Sequence, residues 1–486
     1  MNLDLLAPEI SLAATAVAVI LLDLFAQRKG LLAIVSVIGL AVSAGFTIAM
    51  YGDPSRTIFN NTLAVDNFAL FFKLLFLGIA ALVILSSVDY VSKFTRFRGE
   101  YHALLVLSAL GMMLMATATE LITIYVSLEL ASISLYVLAG FLKDPKSSES
   151  SMKYLLLGAT ASAVLLYGMA LVFGTTGTTQ LGEIAQQVQT LGVQGVIDNP
   201  ALILGIVLLI AGFGFKIAAV PFQMWVPDVY EGAPTPITAY LSVGSKAAGF
   251  AVILRIFSTA FGLPNWLSLD WGIVFAVLAA IGMTVGNVSA LPQTNIKRMF
   301  GYSSIAQAGY LMVGLAAMGV ASVGETIGQS TILFFLLSYA VANLGAFIAI
   351  IAITNKIDSD LIQDFSGMFK RSPLLALALT VCLVSLIGMP PAAGFMAKFY
   401  IFSGAVQNEL LWLVIIAVLN SVISAFYYLR VVKVMWLGEP ASAEKVPSSG
   451  ALRVALTLTS LGVLALFIFA DPIIKAAESA AKMFGS

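Results

Sequence analysis

Five ionisable side chains stand in stretches that otherwise hold almost nothing but apolar residues. Between Ala201 and Val226 (ALILGIVLLIAGFGFKIAAVPFQMWV) the only charge is Lys216, and the next run, ITAYLSVGSKAAGFAVIL, carries Lys246 at its middle. Lys398 lies in GFMAKFY, and Lys153 opens a further apolar run. Of the 25 acidic residues, only Glu129, in LITIYVSLELASISLYVLAGF, falls at the middle of an apolar segment. In low dielectric a carboxylate and an ammonium are each driven toward the neutral form, and an opposite charge nearby reverses both tendencies. Moving one charge can therefore switch the protonation of another, which is what a proton relay needs. A structural salt bridge would use the same residues. Lys153, close to a basic helix end, could instead snorkel, and snorkelling is the expectation for Lys73 and Arg255, a few residues inside helix ends.

The elements that hold these side chains must be unusual. As one helix, residues 201–226 would span roughly 39 Å, more than the roughly 30 Å hydrocarbon core of a bilayer. Pro221 has no N–H, so the carbonyl of Ile217, one residue after Lys216, loses its partner. Unpaired backbone at that depth is tolerated against protein or beside a wet cavity, so the sequence predicts a broken helix bordering a hydrated pocket. Gly212-Phe213-x-x-Lys216 recurs as Gly394-Phe395-x-x-Lys398, where Pro390-Pro391 strand the carbonyls of Leu386 and Ile387. Five crossings separate the two, so they run in opposite directions, as in an inverted-topology repeat with paired discontinuous helices. On that repeat Arg430 or Lys433 is the counterpart of Lys246. Tyr125, Tyr302, Tyr427 and Tyr428 could order water or serve as packing.

Composition sets the class. The 486 residues are 60% hydrophobic and 10% charged, with mean hydropathy +1.00, as for a polytopic integral membrane protein. Lys+Arg and Asp+Glu are 25 each, which gives no charge to recruit nucleic acid. With one cysteine, Cys382, and one histidine, His102, a Cys/His metal site, an iron–sulfur cluster and a bis-His haem are excluded. No cofactor is expected in this chain, and any redox chemistry it serves must happen elsewhere. The acidic start, MNLDLLAPEI, is unlike a signal peptide, so 8–26 is expected to remain as the first membrane helix.

Apolar segments number fourteen, from 8–26 to 451–471, with the fourth and fifth divided only at Ala118-Thr119-Glu120. Loops after odd-numbered segments hold Arg28, Lys29, Lys93, Arg96, Arg98, Lys143, Lys146, Lys297, Arg298, Lys356, Lys370, Arg371 and Lys445, whereas those after even-numbered segments hold only Arg56. That alternation puts the odd loops in the cytoplasm and both termini on the outer side of a plasma (inner) membrane. One odd loop, PDVYEGAP (227–234), has no basic residue and is expected to pack against protein. The longest outer loop, 175–200, is polar and is expected to form an exposed surface with little chemistry. The expected fold is an all-α polytopic membrane protein of about 14 transmembrane helices.

At GFKIAAVPFQMWVPDVYEGAPTPITAYLSVGSK, LPQTNIKRMFGYSSIAQAGYLMVG and GMPPAAGFMAKFY the chain resembles the subunit N family of antiporter-like subunits in proton-pumping NADH:quinone oxidoreductase, respiratory complex I. The likeness runs from about the third segment to the thirteenth, and VPDVYEGAPTP and QTNIKRMFGYSSI favour this family over its sister subunits. It implies fourteen helices, two inverted five-helix repeats and broken helices seven and twelve, and so a division into three N-terminal helices (1–100), a first repeat (101–260), a second, inverted repeat (261–437) and a C-terminal loop with the last helix (438–486). By matching position it makes Glu129 the acidic partner of Lys216, Lys216 the central protonatable residue of the first half, Lys246 the connecting lysine and Lys398 the centre of the second half. Several relatives have histidine at Gln223 and Gln307, and glutamine takes up no proton near neutral pH.

The resulting expectation is a subunit that translocates protons through Glu129, Lys216, Lys246, Lys398 and Lys153, coupled to quinone reduction in partner membrane-arm subunits. Charge changes arriving from a neighbour would alternately pair and separate Glu129 and Lys216. Two rivals stand beside it: a component of a multisubunit sodium/proton antiporter, and a scaffold whose buried charges only fix helix register.

Overall fold

A computed structural model describes residues 3–25, 30–91, 97–262, 265–321, 325–440, 442 and 444–484. Arg28, Lys29, Lys93 and Arg96, counted above as cytoplasmic charges, lie outside the described residues. The chain is nearly all helical. It begins with α1 (Ala7–Phe25) and α2 (Gly30–Ala49), then a short hairpin of β1 (Arg56–Ile58) and β2 (Leu63–Val65), antiparallel with Arg56 opposite Val65. The hairpin turn passes through Asn60 and Asn61 at φ 53° and 64°, a region that asparagine tolerates better than most residues.

The helices α3 (Asn67–Val91), α4 (Arg98–Thr117), α5 (Leu121–Ala139), α6 (Pro145–Thr176), α7 (Leu181–Ile197) and α8 (Pro200–Ile217) follow. Next come α9 (Trp225–Gly232), α10 (Thr235–Tyr240), α11 (Lys246–Thr259), α12 (Asn265–Ala290), α13 (Ile296–Val320) and α14 (Ile327–Ile357). The remainder are α15 (Met368–Arg371), α16 (Pro373–Ile387), α17 (Ala393–Gln407), α18 (Leu411–Leu437), α19 (Gly450–Ile468) and α20 (Ala470–Ala481). Starts obey local chemistry. Asp144 accepts from the Ser147 amide with Pro145 in the first turn of α6, Asn295 caps Arg298 of α13, and Ser449 caps Leu452 of α19.

Among the described residues, thirteen helical stretches are long and apolar enough to cross a bilayer. The twelfth segment read from the sequence is divided between α16 and α17, of 15 residues each. The helices α1, α2, α18 and α19 show rows of exposed Leu, Ile, Val and Phe, as lipid-facing helices do, while α10, α11, α13 and α14 are enclosed. In the 175–200 stretch, α7 buries Leu181, Ile184 and Val188, a helical periodicity that its Gln and Thr content masks. A backbone kink at Gly192 (φ 65°) follows it.

Two cations read as snorkelling do not snorkel. Lys73 of α3 is fully buried and pairs with Glu9 of α1 at 2.6 Å. Arg255 of α11 is 1% exposed and meets both oxygens of Asp66 at 2.7 and 3.3 Å, and also the carbonyl of Ala116 at 2.6 Å. A carboxylate within reach makes staying inside cheaper than stretching to the headgroups, and both carboxylates come from distant parts of the chain. Breaking such a pair strands the remaining charge. Arg255→Leu is expected to cost roughly 3–5 kcal/mol, measured as a lowered melting temperature of the purified protein; unchanged melting would leave the pair without structural weight.

Small residues set the separation of α12 and α13. A Cβ on Gly286 would fall 2.5 Å from the Ala306 nitrogen, and one on Gly309 would fall 2.7 Å from the Met283 nitrogen. Only glycine permits so close an approach. It brings the polar side chains of both helices into one narrow seam.

Candidate functional site

Lys216 stands in the last turn of α8, where the chain leaves the helix at Ile217 and places Ala218 at φ 64°. Helical structure resumes only at Trp225. The lysine is 6% exposed, and its Nζ donates to Ser132 Oγ of α5 at 2.8 Å. Glu129, one helical turn before Ser132, accepts instead from the Ser162 hydroxyl of α6. Among the described residues no ion pair joins Lys216 to Glu129 within 4.0 Å; each is held by a serine. The expected direct pair is therefore not formed in this structure.

The second lysine follows a single π-helical turn, Leu241–Ser245, of a kind that inserts a residue and often marks functional positions. Lys246 is 2% exposed and donates to the Ser304 carbonyl and, at 2.7 Å, to Ser304 Oγ. The same hydroxyl meets the hydroxyls of Tyr230 at 3.2 Å and Tyr339 at 3.3 Å. Tyr230 belongs to α9, and Trp225 at the start of α9 donates to the Phe215 carbonyl at 3.1 Å. So α9 ties the end of the Lys216 helix to the acceptor of Lys246.

Lys398 of α17, 5% exposed, donates to the Ile387 carbonyl at 2.8 Å and Ser421 Oγ at 3.1 Å, with its Nζ 4.3 Å from the centre of the Tyr310 ring. Gln307 donates to the Leu386 carbonyl at 3.2 Å. The two carbonyls that lose helical partners before Pro390-Pro391 are thus satisfied by a lysine and a glutamine. Gly388, at φ 91°, makes this possible, because a Cβ there would lie 2.7 Å from Lys398 Cδ.

Polar side chains continue from Lys398 toward Lys246. Ser421 Oγ donates to the Tyr310 hydroxyl at 3.3 Å, Asn287 Nδ2 donates to the same oxygen at 3.3 Å, and the Tyr427 hydroxyl donates to Asn287 Oδ1 at 3.0 Å. The Tyr427 and Tyr428 rings lie 4.5 Å apart, and Tyr428 shares a hydrogen bond with Ser303, the neighbour of Ser304 on α13. The sequence reading missed Ser132, Asn287, Ser303, Ser304, Tyr310 and Ser421. The signal available was their polarity at mid-segment positions, but single hydroxyls are common in membrane helices.

Lys153 lies elsewhere. Its side chain is 42% exposed and pairs with Glu149 and Asp228 at 2.8 Å each. Arg298 of α13 bridges Asp228 at 2.7 Å and Glu231 at 3.1 Å, and Lys146 meets Glu231 at 3.2 Å. The basic residues absent from 227–234 are supplied by α6 and α13, and α9 is packed between them. Partial burial pushes both carboxyls up, but ion pairs with Lys153 and Arg298 at Asp228, and with Lys146 and Arg298 at Glu231, outweigh it and hold both below the usual carboxylate range. This cluster stays charged at neutral pH and clamps α6, α9 and α13 together. Arg430 donates to the Leu291 and Gln293 carbonyls at the end of α12, and Lys433 is exposed, so neither reaches the buried line.

The arrangement holds three buried lysines whose acceptors are hydroxyls and carbonyls rather than carboxylates.

Comparison with known proteins shows the family and the fold. The family model described as NADH:quinone oxidoreductase/Mrp antiporter, transmembrane, matches residues 118–424. The chain is similar to the NADH-quinone oxidoreductase subunit N of Dehalococcoides mccartyi, with 50% identity over 483 residues and 99% of each chain covered. It is 46% identical over 488 residues to the subunit N of Trichlorobacter lovleyi, covering 99% of this chain and 97% of that one. Among solved structures, a chain of respiratory complex I from Thermus thermophilus with bound aureothin superposes with a TM-score of 0.80 at 31% identity, covering 96% of this chain and 98% of that one. A chain of the Mrp complex from Dietzia sp. matches with a TM-score of 0.83 at 20% identity, covering 99% of this chain and 97% of that one, and so shares the fold.

Proposed function

Because this chain belongs to the NADH:quinone oxidoreductase/Mrp antiporter family, on the side of NADH-quinone oxidoreductase subunit N, we propose that it is a proton-translocating subunit in the membrane arm of that oxidoreductase. It carries no redox centre of its own, and quinone reduction in partner subunits drives it. Glu129 and Lys216 form the protonatable pair of the first half, Lys246 connects the halves, and Lys398 is the centre of the second. Lys153, paired with Asp228 and Glu149 away from the buried lysines, is the fifth residue of the proposed path, at its inner-face mouth. The organisation in this reading is three N-terminal helices (1–100), two inverted five-helix repeats (101–260 and 261–437) with discontinuous seventh and twelfth helices, and a C-terminal unit (438–486). The protein resides in the plasma membrane with both termini outside.

The observation that carries the reading is the line of buried lysines on hydroxyl acceptors between α5 and α18. Glu129 supports the assembly. It is only half-buried, beside the exposed side chains of Ile122, Val126 and Ile133, and a carboxylate at that depth requires a neighbouring subunit to cover it.

The test uses membrane vesicles containing the intact complex. NADH-driven proton uptake is expected to proceed unchanged when sodium is replaced by potassium, and to stop when quinone reduction is blocked. Proton flux that requires sodium and survives the block would instead make the protein an antiporter component.

A further inference from the structure

The hydroxyl line from Lys398 toward Lys246 contains one group of a different kind. Asn287 of α12 is fully buried, with Oδ1 accepting from Tyr427 at 3.0 Å and Nδ2 donating to Tyr310 at 3.3 Å and to Asn420 Oδ1 at 3.2 Å. Its orientation is fixed from outside. Asn420 donates to the Ile416 carbonyl at 3.0 Å, which can only accept, so Asn420 must turn its own oxygen toward Asn287, and Asn287 must answer with its NH2.

A hydroxyl can take a proton on a lone pair while releasing its own, so a row of hydroxyls can pass protons in either direction. A carboxamide cannot do this near neutral pH. Its oxygen does not hold a proton and its NH2 does not give one up. On one side of Asn287 are Tyr427, Tyr428 and Ser303, beside the Ser304 that holds Lys246; on the other are Tyr310, Ser421 and Lys398.

We propose that Asn287 is a proton barrier: it interrupts the hydroxyl line and keeps the Lys246 side apart from the Lys398 side, so that a proton crosses only when water bypasses the amide. This rests on the reading that Lys246 and Lys398 exchange protons. In a crossing the Lys246 ammonium loses one proton and becomes a neutral amine. Every hydroxyl and water on the way takes one proton and gives one up, and neutral Lys398 becomes the ammonium. With no water bypassing the amide, the barrier stops transfer along this line in both directions, so a built gradient does not drain through it.

The experiment reconstitutes the intact complex in vesicles and follows decay of the proton gradient after NADH is exhausted. Asn287→Asp places a group there that can accept from Tyr427 and give to Tyr310, and is expected to speed the decay. Asn287→Leu, which fills the space and carries no proton, is expected to leave decay as in the wild type. If the aspartate variant does not assemble, Asn287→Ser is expected to leak in the same way. Wild-type decay in the aspartate or serine variant overturns the barrier, as does weaker pumping without faster decay or an equal leak in the leucine variant. Lys216→Ala in the same preparation separates the two levels. If that variant still pumps, the pump reading itself falls; if it is inactive and Asn287→Asp does not leak, only the barrier falls.

Discussion

Lys216→Ala is expected to abolish proton pumping while the subunit still assembles. The substitution removes an ammonium whose described hydrogen bond goes to Ser132, so what is left behind is a serine and not an orphaned carboxylate. The stability cost is therefore small compared with that of breaking Arg255 from Asp66. The functional cost is large. Positioned proton-transferring groups typically contribute about 10²–10⁴-fold to a rate, and where quinone reduction is coupled to proton movement the loss is expected to slow NADH oxidation as well. Proton uptake and NADH oxidation measured together on the assembled complex check this. A variant that assembles and keeps the wild-type ratio of protons to electrons would remove Lys216 from the relay.

Lys398→Ala should differ in kind, because this lysine does two things. It ends the polar line from Ser421 and Tyr310, and it satisfies the Ile387 carbonyl that the following prolines leave without a helical partner. Losing it is expected to stop pumping and also to lower stability by about 1–3 kcal/mol, the cost of an unsatisfied buried polar group. The melting temperature of the purified complex and its proton uptake read the two effects separately. Lost pumping with unchanged melting would mean that water takes over the carbonyl, and retained pumping would exclude Lys398 from the path.

Much of this arrangement was legible in the sequence, because membrane solvation punishes anything out of place. The nearly all-helical polytopic fold follows from composition and segment length, and the short β1–β2 hairpin does not. Pro390-Pro391 mark Leu386 and Ile387 as carbonyls in need of donors, and the structure supplies Gln307 and Lys398. At Glu129 and Lys216 the two differ: the family resemblance implies a pair, while the structure gives each a serine partner, Ser162 and Ser132.

What could not be read depends on partners brought together by the fold. Lys73 and Arg255 look like snorkelling cations until Glu9 and Asp66 arrive, and Asp66 stands 189 positions from Arg255. The link between Lys246 and Lys398 is assembled from α12, α13 and α18, which meet only because glycines such as Gly286 and Gly309 let α12 and α13 close. Asn287 reads in the sequence as one polar residue in an apolar helix, and nothing local assigns it to Tyr310 and Tyr427. The α7 helix was hidden because three apolar residues at helical spacing carry little signal among so many glutamines.

The central claim is that Lys216 works by giving up its proton, not by being a fixed positive charge. Lys216→Arg tests this directly, since a guanidinium keeps the charge and hydrogen-bond donors but does not deprotonate in a protein. The proton-to-electron ratio of the assembled Lys216→Arg complex is predicted to fall as far as that of Lys216→Ala. A ratio equal to the wild type would contradict the claim and make the lysine a charge that only holds the helices in register.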